Sequence, residues 1–409
     1  MPLLTELWNF SCLLAINILP RWGCNTPATD MKFATTTLFF CVAALLALGM
    51  VMLFSASTQR PEANYLVMQP IWCGLGLLAC LITASGDYRW VKKSSWIPWT
   101  LLAIAVVLLV LVLVPGIRAK INGASRWIHV GRFTMQPSEL AKLALIIVLA
   151  YYGERYQRRM PKFVDGVVVP GLIIGAVVGL IFLEPDVGTA VLLSAVSATM
   201  LLIAGIRWRY FVPPLCLLAV AFGLFLWKNP MRSERIYSWL HLEETKLDKG
   251  MQAYQAMVAL GSGGVTGVGL GDGRQKLGFV PFHHTDFIFS VIGEELGLIA
   301  TLLVLGAFIA ITICGVYIAW NSRDTFGMLL ASGITFLIGF QAVINIGVVT
   351  SALPNKGLAL PFISYGGSNL VVMLACVGIL LNIGRIAGES GNVPRPVLDP
   401  GGLTSPQLA

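Results

Sequence analysis

Runs of about 20 apolar, uncharged residues recur from one end of this chain to the other, and no other feature limits its fold so strongly. Each run can cross ~30 Å of hydrocarbon as a helix, and helix is required because lipid gives the backbone no hydrogen-bonding partner. The cores fall near 33–56, 65–84, 97–115, 138–153, 165–183, 187–205, 211–227, 287–319, 325–350 and 367–383. The expected fold is an all-α polytopic membrane protein of about ten transmembrane helices, with a large extracytoplasmic loop between spans seven and eight. A chain that is 56% hydrophobic and only 12% charged, with mean hydropathy +0.79, is excluded from the soluble globular class.

The ends divide the 409 residues into three parts. Residues 1–31 form an N-terminal extension, cytoplasmic or peripheral, whose apolar stretch LLTELWNFSCLLAINIL has no preceding basic residue and no small-residue cleavage site. It reads as a peripheral helix or as a segment upstream of a natural start at Met31. Residues 32–388 are the membrane domain, and residues 389–409 have the composition of a disordered cytoplasmic tail.

With the N-terminus in the cytoplasm, the inner turns are short and basic: Arg89, Lys92 and Lys93; Arg155, Arg158, Arg159 and Lys162; Arg207 and Arg209; Arg323; Arg385. Both termini then lie inside a cytoplasmic (inner) membrane. The outer loops, near 116–137, 228–285 and 351–366, are also cationic, which is either ordinary solvated charge or the lining of a site for an anionic substrate. The glycine-rich run GSGGVTGVGLGDG (261–273) lacks the preceding strand of a nucleotide-binding fingerprint, so its glycines read as tight turns packed on the membrane core. The eight Cys and four His show no ligand spacing, and neither a disulfide framework nor a metal site is indicated.

A carboxylate deep in a bilayer costs roughly 2.5–3.5 kcal/mol, so acids in such a chain are functional candidates. Glu139 follows Gln136 and Ser138 at the start of span four, Glu184 and Asp186 join spans five and six in EPDVGTA, and Asp286 begins span eight; all four map to one membrane face. At a helix start, His284, Thr285 and Asp286 serve either as caps or as part of an anion-rich site. Glu294 and Glu295 lie two turns deeper and read as cavity-organising or paired with a buried cation. Lys142, three residues after Glu139, either pairs with it or contacts phosphate. In LPNKGLALPFISYGGSNL, prolines and glycines break any helix, which leaves Ser364, Tyr365 and Ser368 as sugar or phosphate contacts or as loop packing.

Four segments in order carry a resemblance: GASRWIHVGRFTMQPSELAKLA (123–144), EPDVGTA (184–190), GSGGVTGVGLGDGRQKLGFVPFHHTDFIFSVIGEELG (261–297) and LPNKGLALPFISYGGSNL (353–370). Together they resemble the SEDS family (shape, elongation, division, sporulation) of peptidoglycan polymerases, more closely its FtsW branch than its RodA branch, over Met31 to about Arg385. Lys356 and Gly293 support the division-type branch. The chain departs from the family at Phe282 and His283, where Glu and a small residue are typical, and at Asn369, where Ser is usual.

The resemblance implies a peptidoglycan glycosyltransferase that polymerises lipid II into β-1,4 glycan strands during cell division, with Asp286 as catalytic base and undecaprenyl pyrophosphate as leaving group. Substrate-binding residues would be Arg126, Gln136, Ser138, Glu139, Lys142, Asp186, Lys276, His284, Lys356, Ser364 and Tyr365. No cofactor is implied beyond a divalent cation such as Mg or Mn, for which no ligand cluster is seen. Expected partners are lipid II, the undecaprenyl pyrophosphate-linked glycan, a class B penicillin-binding protein transpeptidase, other division proteins and membrane lipid, with no nucleic acid, and the expected place is the division septum. A lipid II flippase or other transporter, and a non-enzymatic division scaffold, are the competing readings.

Overall fold

The computed structural model of the protein describes residues 28–57, 65–114, 118–121, 124–130, 133–248, 250–273 and 286–389. The proposed boundary at Met31 falls inside the first helix; residues 1–27 and 390–409 lie outside the described residues.

Every apolar core became a helix. In chain order these are α1 (Ala28–Ser57), α2 (Tyr65–Ser85), the short α3 (Arg89–Lys93), α4 (Trp96–Leu113), α5 (Pro137–Arg155), α6 (Val169–Leu183), α7 (Val187–Ile203) and α8 (Trp208–Lys228). Then come α9 (Pro230–Leu240), α10 (Met251–Ser262), α11 (Ile288–Trp320), α12 (Thr325–Val349) and α13 (Gly367–Glu389). Eight of them are long and apolar enough to cross a membrane. Of the remaining two predicted spans, α7 is shorter at 17 residues, and α5 carries Glu139, Lys142, Glu154 and Arg155.

Local chemistry sets the helix starts. Pro137 occupies the first turn of α5, where its missing N–H costs nothing. Asp186 caps α7 by accepting from Thr189 N at 3.2 Å, and Asp324 caps α12 by accepting from Gly327 N at 3.3 Å.

Burial grades the bundle from centre to rim. The apolar window of α12 is 72% buried and that of α8 only 6%, so α12 is the central post and α8, apolar all round, has a surface suited to lipid. Around α12 the core is built from Leu145, Ile146 and Leu149 of α5, Leu192 and Val196 of α7, and Met373, Leu374 and Val377 of α13.

Two features add detail to the all-α expectation. The loop after α4 folds into a three-stranded antiparallel sheet, β1 (Arg118–Ile121), β2 (Ala124–Val130) and β3 (Phe133–Met135), which touches α4, α5 and α13. The loop between spans seven and eight is partly helical, containing α9 and α10.

Candidate functional site

Four elements meet at the end of the bundle where α5 and α7 begin. Arg126 reaches from β2 to the corner between α6 and α7: its Nε donates to the Glu184 carbonyl at 3.2 Å, one terminal nitrogen to the Pro185 carbonyl at 2.5 Å, and the other lies 3.6 Å from the Asp186 carboxylate. Gln136, just before α5, donates from its side-chain amide to Ser138 Oγ at 2.9 Å and to Asp186 Oδ2 at 3.2 Å. Its backbone N–H donates to Ser368 Oγ at 3.3 Å, which brings in the start of α13. The guanidinium of Arg126 retains an open face, since its side chain is 26% exposed.

Behind this layer runs a buried polar chain. Lys142 lies 2.7 Å from Glu139 and donates to Gln341 Oε1 of α12 at 3.0 Å; Gln341 in turn donates to the Ala359 carbonyl at 2.8 Å and to Asn369 Oδ1 at 3.4 Å. Lys142 and Ser138 are 0% exposed, so the ion-pair reading of Lys142 fits the geometry and direct contact with a ligand at the surface does not. Ser364 is sealed in the same way, its Oγ accepting from Leu360 N at 2.8 Å inside the loop. Glu139 is likewise buried, whereas Lys356 and Tyr365 are only partly buried in the loop leading to α13.

Asp286 lies in the turn immediately before α11 and is partly buried. The capping reading is not realised: Phe287 occupies the cap position of α11, with no side-chain cap bond. The Asp286 backbone carbonyl accepts from Asn345 Nδ2 of α12 at 2.8 Å, and Gly357 abuts its carboxylate so closely that a Cβ there would collide with Oδ2. Burial, and secondly the negative Asp186, push the Asp286 carboxyl up to about 6, with Arg126 opposing them. Glu184, 1% exposed with both carboxylate oxygens unpartnered, is pushed up to about 8, by burial first and then Asp186, again opposed by Arg126. The predicted gathering of Glu139, Glu184, Asp186 and Asp286 at one end is thus present, with Arg126 at its centre. Lys276 and His284 lie outside the described residues.

The glycine run does what its composition suggests. Helix α11 is broken at Gly297, whose φ of 77° is left-handed backbone that favours glycine. Into this break the chain after α10 lays its own backbone: Val268 N donates to the Glu294 carbonyl and Gly269 N to that of Glu295, both at 3.0 Å, while Leu298 N donates to the Gly264 carbonyl at 3.0 Å. A Cβ at Gly267 would strike the Glu295 carbonyl. Glu295 ties the assembly to α1, accepting from Ser55 Oγ at 2.8 and 2.7 Å and from Gly271 N at 3.2 Å. Both Glu294 and Glu295 are buried behind Asp286.

Sequence reading missed Gln341, Asn345 and Ser55. The first two were visible as polar residues four apart in an apolar span, a spacing that puts both on one helix face. Among the described residues, no three His, Cys, Asp or Glu side chains gather as a metal site.

The profile of the FtsW/RodA/SpoVE family, described as "Cell cycle protein", matches residues 35–388. A probable peptidoglycan glycosyltransferase FtsW of Trichlorobacter lovleyi is 41% identical over 355 residues, covering 85% of this chain and 92% of that protein. Stage V sporulation protein E of Bacillus subtilis is 39% identical over 350 residues, covering 83% and 94%. Among solved structures, a chain of a peptidoglycan synthase complex studied for its coordination of polymerization and crosslinking aligns with TM-score 0.72 at 31% identity, covering 86% of this chain and 97% of that one. The rod shape determining protein RodA of Thermus thermophilus aligns with TM-score 0.61 at 30% identity, covering 85% and 95%. On the strength of a match that runs from α1 to the end of α13, this chain belongs to the FtsW/RodA/SpoVE family of cell cycle proteins.

Proposed function

We propose that the chain is a peptidoglycan glycosyltransferase that polymerises lipid II, with Asp286 as the general base. The observation that carries this reading is a single partly buried carboxyl, fixed by its own backbone beside Arg126 and Asp186 and held near 6, close to the pH at which it must accept a proton. Its carboxylate takes the proton from the acceptor sugar 4-hydroxyl as that oxygen attacks the anomeric carbon of the donor. The new C–O bond forms on one face while the bond to pyrophosphate breaks on the other, which inverts the centre and gives a β-1,4 link. A glycosidase normally needs a second carboxyl to protonate its alcohol leaving group; pyrophosphate departs as an anion and does not. The half-open guanidinium of Arg126 and the partly buried Lys356 are the cations suited to its developing charge.

The Asp286 end faces outward in this reading, because the opposite turns hold the short basic runs of a cytoplasmic surface. Both termini are then cytoplasmic, in the inner membrane at the septum. The partner is a class B penicillin-binding protein, a proposal supported by likeness to a chain from a complex that couples polymerization to crosslinking.

The deciding experiment follows labelled lipid II by gel, using the protein purified with its transpeptidase, whose own active-site serine is replaced. Glycan ladders from the native chain but not from Asp286→Asn support the assignment. Ladders from both would move the base elsewhere. Ladders from neither, with the complex folded, would favour the flippase or scaffold reading.

A further inference from the structure

Asn345 is buried at 1% exposure in the central helix α12, and its side chain is used unevenly. Nδ2 donates two bonds, one to the Asp286 carbonyl at 2.8 Å and one to the Leu358 carbonyl at 2.6 Å. Oδ1 is buried with no partner among the described residues. Two carbonyl acceptors fix which end of the amide is nitrogen, since only the NH₂ group can donate twice. An orphaned buried carbonyl costs roughly 1–3 kcal/mol, a cost set against the two carbonyls that Nδ2 satisfies.

The two carbonyls belong to segments that would otherwise be independent. One is the turn that begins α11; the other is the Pro- and Gly-rich segment between α12 and α13. Bonding both to one amide places Gly357 against the carboxylate of Asp286, where a Cβ would collide with Oδ2 and force the carboxylate to shift.

We propose that Asn345 is the positioning residue for Asp286: its amide staples the acid's own backbone to the 353–366 segment, so that Gly357 closes one flank of the carboxylate and fixes its aim. The proposal rests on the glycosyltransferase reading above and adds to it the residue that aims the base. No other side chain of comparable size does this. Asp accepts and cannot donate, Ser donates once, and Gln would displace both carbonyls by a methylene. Among the described residues, the charged groups acting on the acid are Asp186 at the start of α7 and Arg126 from β2, with Lys356 adjacent to Gly357 in the segment; α12 presents the neutral amide of Asn345.

The test uses the full chain with its transpeptidase and labelled lipid II, comparing native protein with Asn345→Ala, Asn345→Ser and Gly357→Ala, each normalised to the folded fraction from size exclusion. For Asn345→Ala, kcat is expected to fall about ten- to hundredfold with KM changed less than about threefold, because the acid is misaimed while substrate contacts remain. The acid limb of its pH–rate profile should move down from near 6 toward the ordinary carboxylate range near 4, as the loosened carboxyl takes up water. Asn345→Ser should fall between. Gly357→Ala disturbs the same flank from an exposed loop position without touching α12, and should repeat the kcat loss even where an Asn345 variant fails to fold. Native-like kcat and an unmoved acid limb in folded Asn345→Ala, or native-like kcat in Gly357→Ala, would overturn the proposal while leaving the polymerase intact. A native chain that makes no glycan would remove the underlying reading and this one with it.

Discussion

Two buried asparagines stand at opposite ends of the bundle, and the protein uses them in opposite ways. Asn382, on α13 near the basic turns, satisfies its whole side chain: Oδ1 accepts from Tyr88 N at 3.2 Å, and Nδ2 donates to the carbonyls of Ala84, at 2.8 Å, and of Gly86. Around it, Tyr88 Oη donates to Asp324 at 2.7 Å, and Lys92 bridges Glu154 at 2.5 Å and Asp324 at 3.2 Å. This is a closed polar network that joins α2, α3, α5, α12 and α13. Among the described residues, Asn345 Oδ1 has no partner, and beside Asp186 and Arg126 the buried carboxylate oxygens of Glu184 have none either. Helix α5 spans the distance between the two ends, 19 residues or about 28 Å. Polar groups cost least when fully paired, so an end left incompletely paired is where a ligand's atoms have something to complete.

The sharpest break of this contrast is Asp286→Asn, expected to lower polymerisation about a hundredfold to ten-thousandfold in the lipid II gel assay. Its stability should not suffer. Because the folded carboxyl is held at about 6, above its unfolded value near 4, the native state holds more protons than the unfolded one between those values and loses stability as pH rises through them. The amide removes that contribution, so the gap between thermal melts in detergent at pH 5 and pH 7 should narrow, leaving the part due to Glu184.

At the other end the signs reverse. Asn382→Ala leaves the buried Tyr88 N–H and the Ala84 carbonyl without their partner, while the exposed Gly86 carbonyl keeps its bond from Arg385, so it should cost about 1–3 kcal/mol in denaturant or thermal unfolding while turnover per folded molecule stays near native. A loss of turnover without loss of stability would show that the two ends are not separable.

Smaller is the expected effect of Glu184→Gln. Its carboxyl, held at about 8, is mostly protonated at neutral pH, so a neutral amide should change turnover less than threefold, an estimate from the near-equivalence of the two neutral groups. Here too the folded value is raised: the native chain should lose stability as pH climbs from about 5 to 8, and the variant should flatten that slope in melts across the same range. Least of all, Glu389→Gln removes an exposed pair with Arg385 at 4.0 Å and should shift stability by less than about 0.5 kcal/mol.

How much of this could be read beforehand depended on the range of the interaction. The helices were legible because apolar length is a local property, and the Glu139–Lys142 pair because three residues of helix bring two side chains together. The gathering of acids at one end followed from counting spans. The sheet at 118–135 was hidden in a run of charges, since its strands are short and are completed by β2, which bonds to both neighbours. Capping was one of two readings open for Asp286, because the residue alone does not reveal that Phe287 would take that position. Asn345 was the most distant from sequence logic: its two acceptors lie 59 and 13 positions away.

The break in α11 also bears on how the protein is made. Carbonyls of Glu294 and Glu295 that a continuous helix would satisfy internally are met by Val268 and Gly269, which lie in the preceding loop. Residues 263–271 leave the ribosome before α11 does, so the mate for the interrupted span is already synthesised when that span enters the bilayer. An epitope or fluorescent tag spliced between Gly264 and Gly269 would therefore leave the carbonyls of an interrupted membrane span unmet rather than simply decorate a loop.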